Sequence, residues 1–306
     1  MISICIPTYN FNVIPLVDEL LLLSAEAGCE IILIDDASEA KYIEANNVLG
    51  DRVRMILLEE NIGRSKIRNL FLKHAEFDHL LFLDCDSLVN NSDFIANYVN
   101  AIQNENGTEQ VVCGGRVYPE TAPSSEHLLR WRYGIESESK PAQIRNQYPY
   151  RSFMTNNFLI QKVTLEKIRF DESLTLYGHE DTLFGYELKN NAIPIVHIEN
   201  PVLNGHLETN AEYIVKTKDG VHNLIQILNR SKDPEQFTNE VRLLQYYSEA
   251  REKRRIKRLK FIYSILKKNI LRRLLKGTAT IKQFNFYKLM LLIDQIEKDQ
   301  KRNSSA

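Results

Sequence analysis

Strand-like segments that alternate with helical patterns constrain the fold of this chain most strongly. The strand-like segments are rich in apolar residues and cover residues 2–6, 30–34, 52–58 and 79–83. Apolar residues at helical spacing fill the intervals between them, at residues 12–27, 40–49 and 65–74. This alternation predicts βαβ units with right-handed crossovers. We therefore expect an α/β fold, built on a mostly parallel sheet flanked by helices.

The pattern continues beyond residue 83 and then gives way to helices. The further predicted elements are helices at 93–103 and 181–190, strands at 109–118, 157–161 and 193–198, and a loop that ends at His206. Residues 119–150 hold four of the nine prolines and predict an irregular insertion. From about residue 211 the pattern is helical. We expect one domain at residues 1–207 and a helical C-terminal extension at 208–306.

Two carboxylates stand at the carboxyl end of the fourth predicted strand. Asp84 and Asp86 are alternate residues, so on extended backbone their side chains face the same way. Ligands of open α/β sheets bind beyond the carboxyl ends of the strands. Because two carboxylates this close repel each other, the pair predicts a divalent cation, Mg²⁺ or Mn²⁺, that bridges to a nucleotide diphosphate.

Polar segments also follow the first three predicted strands. Residues 7–10 begin with a proline, which lacks an amide donor, so this segment ends the first strand. After the second strand, the carboxylate of Asp35 or Asp36 can accept hydrogen bonds from a base or a ribose. The third segment holds Asn61, Gly63, Arg64 and Arg68. Its glycine permits a positive φ, and its two arginines share one helix face. Ordinary turns, helix caps and surface arginines explain the same residues without a ligand, so both interpretations stay open.

Taken in order, these motifs resemble those of the family-2 glycosyltransferases, which have a GT-A fold. The matching segments are residues 4–10, 32–38, 61–64 with Arg68 and Asn69, 84–86, and 180–181. The likeness covers about residues 1–207. It implies a Rossmann-like sheet and transfer of a sugar from a nucleotide diphosphate sugar. We expect a UDP-linked sugar rather than a GDP-linked one. The likeness also implies inversion at the anomeric carbon. We expect the acceptor to be a hydroxyl of a glycan or of a lipid-linked glycan.

The resemblance also implies roles for individual residues. Residues 1–115 would form the nucleotide-sugar part and residues 116–207 the acceptor part. The nucleotide-binding residues would be Pro7, Thr8, Tyr9, Asn10, Asp35, Asp36, Asn61, Gly63, Arg64, Arg68 and Asp84. The metal would be held by Asp86, with Asp84 and His206 assisting.

An inverting transfer needs a carboxylate base near the acceptor hydroxyl. The resemblance assigns this role to Asp181, with Glu180 in support, whereas helix capping is the plain alternative for Asp181. A partly buried acid among other acids would have a raised pKa, which suits a base. The candidate acceptor-binding residues are Asn156, Asn157, His179 and Trp131. For the single tryptophan, a packing role is the more ordinary interpretation.

Charge is distributed unevenly along the chain. The net charge is −1, yet residues 249–276 contain twelve Lys or Arg and only two Glu. Leucine, isoleucine and phenylalanine interleave with these basic residues, which predicts an amphipathic helix suited to an anionic membrane surface. Packing against the catalytic domain and a homodimer contact are the alternatives. We expect no nucleic-acid partner, because no helix-turn-helix, zinc or RNA-binding motif accompanies the charge.

Composition and motifs limit the expected cellular location and the alternative functions. The four cysteines form no C-x-x-C pair and fit reduced thiols. We find no signal peptide and no apolar run that could span a bilayer, so we expect a cytoplasmic protein, peripheral on the inner face of the cytoplasmic membrane if the basic segment binds lipid. A nucleotidyltransferase is one alternative, but it would normally carry a glycine-rich loop where this chain has residues 7–10. A non-catalytic nucleotide-sugar binding protein is the other, and it would be expected to lose the acid pair or the base.

Overall fold

A computed structural model describes residues 1–25, 27–105 and 107–305, with side chains to residue 301. The chain divides into two compact units. The first, the sheet unit, comprises Met1–Pro119, Glu138–Thr175 and Glu180–His206. The second, the helical unit, comprises Glu120–Ser137, Leu176–His179 and Leu207–Ala306. The predicted domain boundary at residue 207 stays a prediction.

Ten strands build two sheets in the sheet unit. They are β1 Ile2–Thr8, β2 Glu30–Asp35, β3 Arg54–Leu57, β4 His79–Leu83, β5 Ser87–Leu88, β6 Val111–Cys113, β7 Arg116–Val117, β8 Asn157–Gln161, β9 Ile195–His197 and β10 Val202–Asn204. Seven of them form the large sheet in the order β3-β2-β1-β4-β8-β6-β9, and β5-β10-β7 form a small one. In the large sheet, β8 runs antiparallel to both β4 and β6 while the other neighbours pair in parallel. The predicted α/β fold with a mostly parallel sheet is confirmed.

Helices cover both faces of the large sheet. Those of the sheet unit are α1 Ile14–Ser24, α2 Ala40–Asn46, α3 Arg64–His74, α4 Phe94–Gln103, α6 Ala142–Arg145, α7 Lys162–Lys167 and α8 Glu180–Asn190. A 3₁₀ segment, Asn47–Arg52, follows α2. Alternate strand residues face opposite sides, so β1 sends Ile4 and Ile6 toward α1 and α4 and Cys5 toward α3 and α8. Burial on both faces explains why these strands are continuous apolar runs.

The predicted strand at 109–118 is wrong, because it is two strands in different sheets. Gly114 and Gly115 separate β6 from β7, and Gly115 has a φ of 94° that favours glycine. The predicted loop before His206 likewise contains β10, which pairs with β5 and β7. The predicted irregular insertion at 119–150 contains helix α5, Leu128–Tyr133, a π-helical turn at Gly134–Glu138, and α6.

The helical unit is built on five long or medium helices and α5. They are α9 Asn210–Arg230, α10 Pro234–Glu240, α11 Arg242–Glu252, α12 Ile256–Leu275 and α13 Ile281–Ser305. A capping box of Thr209 and Glu212 begins α9. Side chains from α5, α9, α12 and α13 form its own apolar core, which includes Leu129, Ile214 and Leu274. The predicted helical C-terminal region is confirmed. In the ranges described, no helix combines the length and the apolar character needed to cross a bilayer.

The glycine at the strand break leads to a stability prediction. A Cβ on Gly114 would lie 2.3 Å from the Asn200 carbonyl oxygen and 2.5 Å from the Tyr98 hydroxyl, both held in the core. We expect Gly114→Ala to lower the free energy of unfolding by about 3 kcal/mol, because backbone must shift to admit the methyl group.

Gly220→Ala is the matched control, measured in the same urea titration. Gly220 lies inside α9, and its Cβ would meet His179 Cδ2 at an ordinary 3.6 Å. This substitution should be neutral or stabilising by up to about 1 kcal/mol. Equal unfolding midpoints for the two variants would contradict the structural account of the strand break.

Candidate active site

Three strand ends meet at one edge of the large sheet. Strand β1 lies between β2 and β4 and runs parallel to both, with Thr8 opposite Asp35 and Cys5 opposite Phe82. The carboxyl ends of parallel strands share an edge, so residues 7–10, 35–38 and 84–86 come together there. The predicted polar segments therefore form one rim.

The first two loops of this rim bind each other. The Asn10 amide donates to Ser38 Oγ at 2.7 Å, and Asn10 Oδ1 accepts from the Glu39 amide at 2.8 Å. Asp35 Oδ1 accepts from the Ser38 amide at 2.7 Å. Asn10 also has a φ of 49°, which asparagine tolerates better than most residues. These polar atoms hold the shape of the two loops.

Asp36 holds the turn that begins helix α3. Its two carboxylate oxygens accept hydrogen bonds from the Ile62 amide at 2.7 Å and the Gly63 amide at 3.0 Å. Burial raises the pKa of Asp36, although these two N–H groups act in the opposite direction. Asn61 donates to the Asp36 carbonyl at 3.2 Å, and Gly63 has a φ of 83°. The structure thus uses Asp36 to fix the residue that follows the turn, Arg64.

Two arginines of α3 bind carboxylates, one of the rim and one at the start of α8. Arg64 Nε donates to Glu180 Oε1 at 2.5 Å, and the Arg64 side chain is 41% exposed whereas that of Glu180 is 7% exposed. Arg68 is almost fully buried and donates from Nη2 to Asp84 Oδ1 at 2.9 Å. It also donates to the Arg64 carbonyl at 3.1 Å. These contacts link strand β4 and helix α8 through α3.

A third arginine completes the coordination of Asp84. Arg116 Nη2 lies 3.2 Å from Asp84 Oδ2 and 3.9 Å from Asp86 Oδ1. Burial would raise the pKa of Asp84, but Arg68, Arg64 and Arg116 outweigh it and hold that pKa below its ordinary value. Burial would likewise raise the pKa of Glu180, but Arg64 and Arg68 outweigh it and hold that pKa below its ordinary value. Both acids are therefore ionised at neutral pH.

Asp181 differs from these acids. It lies in the first turn of α8, where its Oδ1 accepts from the Thr182 amide at 2.7 Å. Burial and then the charge of Glu180 raise the pKa of Asp181 to about 6. Neighbouring carboxylates with pKa values pushed apart are a recurring arrangement of acid–base sites. Glu180 stays charged, and Asp181 changes its protonation near neutral pH.

The donors near Asp86 fit an oxygen-preferring divalent cation. Asp86 is partly exposed, and its Oδ2 lies 3.4 Å from Asn204 Nδ2. The Asn204 Oδ1 atom is buried, with no hydrogen-bond partner among the described residues. Carboxylate and amide oxygens suit Mg²⁺ and Mn²⁺. The part of the chain described holds no group of three or more His, Cys, Asp or Glu side chains placed as a metal cluster, so a cation would need ligands from water or phosphate.

The other two predicted metal ligands, Asp84 and His206, have different surroundings from Asp86. Asp84 is bound to Arg68 and Arg116, so its oxygens are already neutralised by guanidinium groups. His206 is exposed and packs edge-on against Phe11, with ring centroids 6.0 Å apart. Their roles as ligands stay predictions, and Asp86 is the predicted ligand whose surroundings fit best.

The predicted acceptor residues divide between the two units. Asn157 is buried, and its amide bonds to the Gly115 and Asn200 carbonyls and accepts from Tyr98, so it braces the sheet unit. Asn156 is also buried; its carbonyl accepts from the Asp84 amide at 3.1 Å. Its Nδ2 finds no hydrogen-bond partner among the residues described. His179, with a φ of 67°, and the partly buried Trp131 of α5 belong to the helical unit.

Two residues of this site are not among the candidates predicted from sequence. Arg116 begins β7 and neutralises Asp84, and Asn204 ends β10 beside Asp86. The Gly114-Gly115 pair before Arg116 was the available signal, because it marks a break at a carboxyl strand end. Nothing in the local pattern distinguishes Asn204, since the sequence of β10 predicts a loop.

Comparison with known proteins decides the family. The profile of Glycosyl transferase family 2 matches residues 3–169, more than half of the chain. The chain belongs to glycosyltransferase family 2. The matched segment contains the three strand-end motifs and α3, whereas Asp181 and His206 lie beyond it.

Two relatives show how far the sequence likeness extends. A chondroitin synthase of Pasteurella multocida is 25% identical over 221 residues, which is 61% of this chain and 23% of that protein. An uncharacterized glycosyltransferase of Haemophilus influenzae is 38% identical over 101 residues, or 32% of this chain and 38% of that protein. The chain thus spans well under half the length of these relatives.

A solved structure shares the fold. The mannosyltransferase PcManGT from Pyrobaculum calidifontis, solved in complex with GDP-Man and Mn²⁺, aligns with a TM-score of 0.55 at 14% sequence identity. The alignment covers 95% of this chain and 86% of PcManGT. The GT-A fold expected from the sequence is confirmed.

The raised pKa of Asp181 has a measurable consequence for stability. The native pKa of about 6 lies above the ordinary 3.8, so the native state binds the proton more tightly than the unfolded chain does. The free energy of unfolding should therefore fall as pH rises between those two values. Asp181→Asn removes this penalty and should stabilise the protein by about 1–2 kcal/mol at pH 7, with little difference at pH 4.

Urea unfolding of both proteins at the two pH values measures this effect. Asp51→Asn, at an exposed site of the sheet unit, is the control and should change neither value. If Asp181→Asn destabilises the protein equally at both pH values, Asp181 is a structural acid instead.

Proposed function

We propose that this chain transfers a sugar from a nucleotide diphosphate sugar to a hydroxyl group, with inversion at the anomeric carbon and Asp181 as general base. One arrangement carries the proposal: Asp181 follows Glu180, which is bound by Arg64, in the same unit as Asp84 and Asp86. Burial and the charge of Glu180 raise the pKa of Asp181 to about 6. Membership of glycosyltransferase family 2 supports this class of reaction.

The donor would lie against the three strand ends. The loops at 7–10 and 35–38 would border the nucleoside, and Arg64, whose side chain is partly exposed, would donate to a phosphate oxygen. Asp36 would act indirectly in this proposal, because its oxygens already hold the turn that positions Arg64. We favour a UDP-linked sugar, and GDP-linked donors belong in the same test because PcManGT was solved with GDP-Man.

A divalent cation, Mn²⁺ or Mg²⁺, would be held through Asp86, with Asn204 and His206 as the further candidates. When bound, such a cation supplies charge neutralisation to the departing diphosphate. Arg116 already places a permanent positive charge within 3.9 Å of Asp86. Burial would lower the pKa of Arg116, but Tyr118, Asp86 and Asp84 outweigh it and raise that pKa. Arg116 therefore stays charged throughout the working pH range.

Proton transfer falls to Asp181. Its Oδ1 accepts from Thr182, so Oδ2 would take the proton from the acceptor hydroxyl as that oxygen attacks the anomeric carbon. Burial and the charge of ionised Glu180 raise the pKa of Asp181, which makes it an effective base. Because the hydroxyl proton must be removed, transfer should be faster above pH 6 than below it.

The acceptor and the partners remain proposals. A hydroxyl of a glycan or of a lipid-linked glycan is the acceptor we favour; chondroitin, named in the Pasteurella relative, is itself a glycan. Docking to an anionic membrane through residues 249–276 would suit a lipid-linked acceptor, and the homodimer stays a prediction. The nucleotidyltransferase alternative loses support from the family assignment.

Nucleotide binding with and without metal tests the donor site. UDP, GDP and their sugar derivatives are screened by thermal shift in the presence of Mn²⁺, Mg²⁺ or a chelator. A ligand at about 100 times its Kd stabilises by about 2.7 kcal/mol, which gives a melting-temperature rise of several degrees. Asp86→Ala should abolish the metal-dependent part of that rise.

Asp51→Ala, an exposed acid of the same unit, is the control and should keep the full response. If no nucleotide raises the melting temperature in either metal, the proposed function is rejected. An Asp86→Ala variant with an unchanged metal-dependent response would reject Asp86 as the metal ligand.

A further inference from the structure

The solvent-facing side of helix α12 carries a stripe of basic and apolar side chains. The stripe consists of Arg258, Phe261, Ile265, Lys268, Arg272 and Leu275. Their spacing alternates between three and four residues, so they fall on one face of the helix. All six side chains are exposed, and Phe261 is 67% and Ile265 65% accessible. This α12 stripe is therefore a solvent-facing surface with large apolar groups at its centre.

The opposite face of the same helix accounts for its folding. Tyr263, Ile270 and Leu274 are buried in the core of the helical unit, with Leu259 packed beside them. Single exposed apolar residues are common on protein surfaces. Phe261 and Ile265, however, lie one turn apart and contribute nothing to this core, so core packing does not explain them.

The positive charge of α12 indicates which kind of partner the α12 stripe would bind. From Ile256 to Leu275 the helix carries seven Lys or Arg and no carboxylate. Lys260 pairs with Glu297, but in the part of the chain described no ion pair involves Arg258, Lys268 or Arg272. Two copies of the stripe would place like charges opposite each other, which disfavours a dimer through this face. An anionic surface that also accepts apolar side chains is a bilayer containing acidic phospholipid.

We propose that the α12 stripe is a membrane-binding surface for anionic lipid. Phe261, Ile265 and Leu275 would enter the boundary between headgroups and acyl chains, while Arg258, Lys268 and Arg272 would contact lipid phosphates. Long basic side chains allow this arrangement, because their stems lie along apolar surface and their charges stay at the headgroups. The link to a lipid-linked acceptor rests on the proposed function; the binding itself does not.

Vesicle sedimentation of the full chain tests the proposal. The probes are phosphatidylcholine vesicles with and without about one third phosphatidylglycerol. We expect binding to the anionic vesicles only, weakened by added salt as charges are screened. Lys268→Glu with Arg272→Glu should lower the partition coefficient by at least about 25-fold, because each basic residue near the surface contributes about fivefold.

Phe261→Ser with Ile265→Ser should also lower vesicle binding, while leaving its salt dependence in place. Matched controls lie on or near α9: Lys218→Glu with Lys232→Glu makes the same charge change at exposed sites, and Val215→Ser removes an exposed apolar group. Both controls should bind vesicles like the wild type. All variants alter exposed residues, so circular dichroism should show the wild-type fold.

Several results would overturn the proposal. They are absence of binding to anionic vesicles, equal loss in the controls, and selective binding of duplex RNA with no vesicle binding. A concentration-dependent dimer in sedimentation velocity that Phe261→Ser with Ile265→Ser abolishes would assign the stripe to a second copy instead. None of these measurements involves turnover, so failure of nucleotide binding would leave this result standing, and the reverse also holds.

Discussion

The ion pair between Arg68 and Asp84 is the interaction on which the candidate active site depends. Arg68 is 2% exposed, and its guanidinium must remain paired because an uncompensated buried charge costs about 3–5 kcal/mol. The same arginine binds the carbonyl of Arg64, whose own guanidinium holds Glu180. Helix α3 thereby connects the end of β4 to the start of α8. Glu180 is fixed in the ionised state as a result, and Asp181 acquires a raised pKa.

The sheet supplies the conditions for this network. Parallel strands place the polar segments after β1, β2 and β4 at one edge, and the antiparallel β8 brings Asn156 beside Asp84. Asp36 then sets the first turn of α3 through two backbone amides. Positioning and chemistry are therefore divided among three acids. Asp36 orients helix α3, Asp84 binds arginines, and Asp181 changes its protonation.

Much of this arrangement could be predicted from sequence. Continuous apolar runs between helical patterns gave the parallel sheet, because strands buried on both faces need apolar residues at every position. The acidic residues at strand ends were also recognisable. The sequence did not reveal that Asp36 would serve the backbone or that arginines would neutralise Asp84. Those outcomes depend on contacts between residues 16 to 32 positions apart, which no local pattern records.

The break at Gly114 shows the same limit. An apolar run that looks like one strand at 109–118 is divided because Gly114 sits against Asn200 and Tyr98, and Arg116 is redirected toward Asp84 by that division. Likewise, residues 258–275 are visibly basic and amphipathic in sequence, but only the structure shows which apolar side chains the core takes and which it leaves outside.

The pH dependence of kcat/KM tests the central claim most directly, because it reports the ionisation of the base in the free enzyme. With the nucleotide sugar and acceptor that support turnover, wild-type kcat/KM should rise with an apparent pKa of about 6 and level off above it. Glu180→Gln should move that ionisation to lower pH, since it removes the neighbouring negative charge and releases Arg64 toward Asp181. An ionisation that stays at the same pH in Glu180→Gln, or that persists in Asp181→Asn, would contradict the assignment of Asp181 as the base.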